Sequence, residues 1–117
     1  MKESKDYIII KKIINHCELI NDIKTRLNNS EENFNQDDGL ACGAKFHLCQ
    51  IAELTNQLSE EAKTDNPQIP WSPIRKMRDL LMHHYSKQDP KIIWFTIKND
   101  IPYLKDQLLK YLEKNTD

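Results

Sequence analysis

Apolar side chains return every three or four residues along most of this chain. Nowhere do they alternate with polar ones long enough to make a strand. That period puts them on one face of a helix, and only two glycines in 117 residues leave little material for hairpins. The clearest case is residues 6–27, where Tyr7, Ile10, Ile14, Cys17, Ile20, Ile23 and Leu27 form one stripe. Asn28-Asn29 ends that helix. Ser30 can cap a short turn through Glu31, Glu32 and Asn33, but residues 28–39 hold four acids and no base, which predicts a solvated loop. Asp37 or Asp38 caps the next helix, which runs to about Lys63. Ala41, Ala44, Leu48, Ile51, Leu58 and Ala62 keep the step there, and Leu54 fills the gap. These two longest helices are expected to pack as an antiparallel pair. Gly43 weakens the second slightly, unless a neighbouring backbone passes close there.

Residues 64–70 form a loop stopped by Pro67 and Pro70. Ser72-Pro73 pairs a cap with a first-position proline, so a helix begins there and runs through Ile74, Met77 and Leu81 to about His84. Ser86-Lys87-Gln88 is a short connection, and Asp89-Pro90 repeats the cap-plus-proline signal. The next helix carries Ile93, Trp94 and Ile97. Asp100-Ile101-Pro102 either kinks it or begins a new one, which continues through Leu104, Leu108 and Tyr111 or Leu112. The expectation is an all-α, single-domain bundle of about five helices over residues 1–117, with its core at roughly 7–112.

Net charge is -1, so no general nucleic-acid coat exists and any RNA contact has to be local. No apolar run is long enough for a membrane helix, and Ile8-Ile9-Ile10 meets Lys11-Lys12 at once, unlike a signal peptide. A cytoplasmic protein without membrane contact is expected. Cys17, Cys42 and Cys49 are odd in number and contain no CxxC pair, which suits reduced, partly buried thiols. Cys42, His47 and Cys49, or His16 with Cys17, can be imagined as ligands, but neither grouping has zinc-finger spacing; no metal and no cofactor are expected.

The chemistry concentrates in Trp71–Tyr85. Arg78 is followed after four residues by His83 and then, one residue on, by Tyr85; Asp79 directly follows the Arg. A permanent guanidinium near an imidazole that titrates close to neutrality can hold a phosphate and move a proton beside it. The plain alternative is a charged helix end: Arg78 on the surface, Arg75 and Asp79 as an i,i+4 pair, His83 and His84 favoured at a helix C-terminus. Arg78 and Tyr85, seven apart, share a helical face, whereas His83 lies well off it. A helix that frays near His83, a long Arg side chain that reaches round, or two combined subunits would each bring the groups together. Residues 75–91 hold five Lys or Arg against two Asp, and doubling them at a two-fold axis would build a local basic cleft.

Arg78-x4-His83-x-Tyr85, together with Pro70-Trp71, Ile74, Asp79, Asp89, Trp94, Asp100 and Leu104, resembles the HEPN superfamily and, within it, the HepT-like toxins. Ile51-Ala52-Glu53 and Leu58-Ser59-Glu60-Glu61 are similar to that family's middle helix. The resemblance implies a homodimeric, metal-independent endoribonuclease, the toxin of a type VII-like toxin–antitoxin pair, with Arg78 and His83 catalytic at a cleft between two motifs. Asp79 would support His83 or Arg78 without reacting, and His84 occupies the motif's variable position. The implied partners are an RNA substrate and a minimal nucleotidyltransferase antitoxin of the MntA type, which adenylylates the motif tyrosine, here Tyr85, with a larger hetero-oligomer of the two left open. The competing reading is a non-catalytic helical partner that uses the same Arg and His to bind a nucleotidyltransferase or its nucleotide. Trp71 and Trp94 fit core or dimer anchors better than base-stacking platforms. Glu53 is a candidate polar neighbour of the motif, against the plainer reading of a solvated helix Glu.

Overall fold

Ser4 starts the first helix by accepting from the Tyr7 N–H at 3.1 Å, and Asn28 and Asn29 stop it in left-handed backbone (φ 56° and 53°), which Asn tolerates better than most residues. The computed structural model describes residues 4–82 and 89–115. Its helices are α1 (Lys5–Arg26), α2 (Glu31–Gln36), α3 (Asp38–Gln57), α4 (Glu60–Asp65), α5 (Trp71–Met82), α6 (Pro90–Phe95), a π-helical turn (Thr96–Asp100) and α7 (Ile101–Lys114). There is no strand among the described residues. No helix of the described residues is long and apolar enough to cross a membrane.

α1 packs on α3 and α7, and α3 packs on α5. The predicted stripe of α1 is buried at Ile10, Ile14, Cys17, Ile20 and Leu27, joined by Ile9 and Ile13. The α1–α3 pair is antiparallel. Asp6, at the start of α1, accepts from the Ser59 N–H (3.0 Å) and hydroxyl just beyond the end of α3. Near the other ends of the two helices, Ile23 lies against Gly43, where an added Cβ would meet its Cδ1 at 3.3 Å. Gly43 thus accommodates a side chain of α1.

Three expectations change. Residues 28–39 are not merely a loop: Ser30 caps a true helix, α2, which buries Phe34 against Trp94 with ring centroids 5.4 Å apart. The helix expected from 38 to about Lys63 ends at Gln57, because Ser59 turns out of it, caps α4 by accepting from the Ala62 N–H, and docks on Asp6. Finally, α5 begins at Trp71, ahead of the Ser72-Pro73 signal. Its first backbone bond runs from Ile74 to the Pro70 carbonyl, while the Trp71 indole N–H donates to the carbonyls of Lys63 and Asn66 around the end of α4. The two alternatives at Asp100–Pro102 resolve into one helical path. Pro102 has no N–H for the carbonyl four residues back, and the widened π turn before α7 is a device by which a helix absorbs such a mismatch.

Candidate active site

α5 buries only Ile74 of its twelve residues, with Trp71, Met77 and Leu81 partly covered. The helix therefore lies on the bundle and shows most of its surface. Arg75, Lys76, Arg78 and Asp79 all project from it as exposed residues. His83, His84 and Tyr85, and the expected connection at 86–88, lie outside the described residues. The structure thus places Arg78 and Asp79 of the sequence motif on the exposed side of α5.

Arg78 does not stand alone. Its Nε is ion-paired with Oε1 of Glu53 on α3, the two side chains being 47% and 42% exposed. A pair this exposed stabilises a fold by about 0–1 kcal/mol, so its interest is geometric. Among the described residues Arg75 and Asp79 form no ion pair with each other; the other pairs are Lys105 with Glu18 and Lys110 with Asp106. Cys49, one helical turn before Glu53, completes the neighbourhood. Burial pushes its thiol up, partly countered by the Arg78 charge and reinforced by that of Glu53, so it stays protonated and poorly nucleophilic at neutral pH. The sequence offers Glu53 as a candidate polar neighbour of the motif, against a solvated helix Glu, and the structure brings it onto Arg78. No short-range signal could tie it to Arg78, since the contact depends on how α3 and α5 pack.

Beside this surface lies a largely apolar cleft of about 490 Å³ between α3, α5 and α6. Leu48, Ile51, Pro73, Ile74, Met77, Ile92 and Phe95 contribute to its walls, and Asp100 closes one side with a carboxyl that burial shifts upward. Ile92 and Phe95, on α6, remain 51% and 59% exposed. Trp94 is instead a core residue, and Trp71 is half-buried with its N–H satisfied.

His16 and His47, assigned by the sequence to two separate groupings, meet each other. Their Nδ1 atoms are 2.9 Å apart across α1 and α3. Ring centroids 5.1 Å apart place the two nitrogens nearly head-on, which suits one N–H donating to the other ring's lone pair. Among the described residues no three His, Cys, Asp or Glu converge as a metal-binding group. The cysteines are free: Cys17 is buried, with its thiol pushed up to about 12 by burial, Cys42 is exposed and Cys49 is intermediate.

Comparison with known proteins places these features in a wider set. The family model described as "Ribonuclease HepT-like" matches residues 6–111. A protein of Caldanaerobacter subterraneus subsp. tengcongensis named "Putative RNase" is 34% identical over 114 residues, 97% of this chain and 98% of its own length. The "Probable ribonuclease HepT" of Thermococcus cleftensis is 38% identical over 60 residues, 51% of this chain and 54% of its own. No solved structure matches the chain.

Proposed function

Because this chain belongs to the ribonuclease HepT-like family, we propose that it is a metal-independent endoribonuclease and the toxin of a two-gene toxin–antitoxin pair. One observation carries the reading: the family match spans residues 6–111, the range within which Arg78, Asp79, His83 and Tyr85 fall. Residues 1–117 act as one cytoplasmic domain that works as a homodimer. The barely buried α5 and the apolar rim at Ile92 and Phe95 support a second copy covering this face.

In the proposed reaction, one imidazole, His83, takes the proton of the RNA 2'-hydroxyl. The freed oxygen attacks the adjacent phosphorus, and the 5'-oxygen leaves as a hydroxyl after receiving a proton from the facing subunit's His83. The products are a 2',3'-cyclic phosphate and a 5'-hydroxyl end. Arg78 forks onto the phosphate oxygens as charge builds on them. Two copies of the 75–91 segment supply the positive field that the whole chain lacks. Tyr85 is the regulatory position: its hydroxyl attacks the α-phosphorus of ATP in the nucleotidyltransferase partner, pyrophosphate leaves, and the attached AMP fills the cleft with bulk and negative charge.

The test is cleavage of RNA by the purified chain and its variants. His83→Ala and Arg78→Ala are each expected to lower the rate by about 10²–10⁴ with helical content unchanged, and His84→Ala to be mild. A correctly folded dimer that binds the nucleotidyltransferase but never cuts RNA overturns the proposal, as does a His83→Ala protein that cuts like wild type.

A further inference from the structure

A guanidinium offers an anion two edges. One edge presents Nε–H with one Nη–H; the other, at the tip, presents an N–H from each Nη atom. A carboxylate on the tip competes with phosphate for it. A carboxylate on Nε leaves both tip nitrogens to grip a second anion in the bidentate manner suited to phosphate. Glu53 sits on Nε. Its helix, α3, is anchored by the buried Ile51, Ala52 and Thr55, and α5 packs directly on it. The carboxylate is therefore carried by a packed element, while Arg78 stands on the exposed side of α5 at the end of a long side chain.

Resting on the ribonuclease reading above, we propose that Glu53 is a positioning residue for the phosphate-binding arginine, a tether from α3 that holds Arg78 by Nε and aims its tip at the RNA phosphate. The tether also has a cost: a fixed negative charge near the phosphate weakens ground-state binding. Removing it should loosen the guanidinium while making the cleft more positive, so the rate constant and the affinity should move in opposite directions. A residue that merely stabilised the fold would not give that split. Neither side chain is buried, so the fold should survive the change.

The experiment compares wild type, Glu53→Ala and Glu53→Gln as full chains, by RNA cleavage kinetics, thermal melting and NMR of the Arg78 Nε–H. Glu53→Ala is expected to lower kcat by about ten- to a hundredfold, as for a misaligned catalytic group, with KM unchanged or lower and melting unaltered. Glu53→Gln, which keeps an oxygen able to accept from Nε–H, is expected to recover much of kcat. The Arg78 Nε–H should be protected from exchange in wild type and Glu53→Gln and lose that protection in Glu53→Ala. The proposal is overturned by an Nε–H signal identical in wild type and Glu53→Ala, whatever the activity, or by an unchanged or raised kcat in Glu53→Ala. A raised kcat would make Glu53 a brake on Arg78. A wild-type chain whose Nε–H is protected but which cuts no RNA overturns the ribonuclease reading instead.

Discussion

At the scale of single residues, Arg78 and Tyr85 divide the proposed work between holding phosphate and receiving it. They stand seven apart in the sequence, so a helix continued at the pitch of α5 would bring both to one face. Tyr85→Phe keeps the ring but has no oxygen to accept AMP. The variant is expected to fold, to stay toxic if the hydroxyl takes no part in cleavage, and to escape the nucleotidyltransferase. Intact mass after co-expression with that partner should show wild type heavier by one or more AMP groups and Tyr85→Phe unchanged. Equal mass gain in both would remove Tyr85 as the acceptor.

At the scale of elements, two contacts between helices set stability in ways that can be measured. α2 is a helix of six residues, too short to persist by itself, and its one buried side chain, Phe34, stacks on Trp94. Phe34→Ala is expected to cost about 3–5 kcal/mol in denaturant unfolding, through lost burial and the cavity left behind. The His16–His47 contact between α1 and α3 makes stability depend on pH. Burial holds both imidazoles below their ordinary 6.5, and His47 adds to the effect on His16. The unfolded chain therefore binds these protons first as pH falls. The stabilisation is complete above about pH 6.5 and is lost as pH drops through the folded values, where a second proton would set N–H against N–H. Asp100, raised by burial, acts in the opposite sense, gaining stability as pH falls toward the ordinary carboxylate range. Comparing wild type with His47→Gln cancels that contribution. Unfolding midpoints from pH 8 to pH 5 should fall more steeply for wild type; parallel curves would show that the pair does not titrate with folding.

At the scale of the whole molecule, net charge and the proposed function conflict unless two copies combine. One chain carries charge -1 and binds no polyanion strongly by its overall field. The α5–α6 surface carries both the exposed cations Arg75, Lys76 and Lys91 and the apolar rim around the 490 Å³ cleft. Pairing two such faces would bury the rim and sum the cations. Wild type is expected to sediment as a dimer at micromolar concentration, and Phe95→Lys, which puts charge on a side chain already 59% exposed, as a folded monomer that no longer cuts RNA. A Phe95→Lys dimer that remains active would place the contact elsewhere.

Much of this architecture was legible in the residues themselves. The period of the apolar positions marks α1, α3 and α7, Ser30, Asp37 and Asp89 cap where their chemistry says they should, and Arg78-x4-His83-x-Tyr85 is picked out by its resemblance to the HepT-like family together with the residues around it. These are short-range properties, written within one or two helical turns. What needed the tertiary structure lies at longer range. α3 ends where it does because Ser59 finds Asp6, 53 residues away, and α2 exists as a packed helix because Phe34 finds Trp94. His16 meets His47 across 31 residues, and Glu53 meets Arg78 from another helix. Periodicity tells which face of a helix turns inward. It carries no information on the distance and rotation between two helices, and those decide which polar side chains touch at the edge of the core.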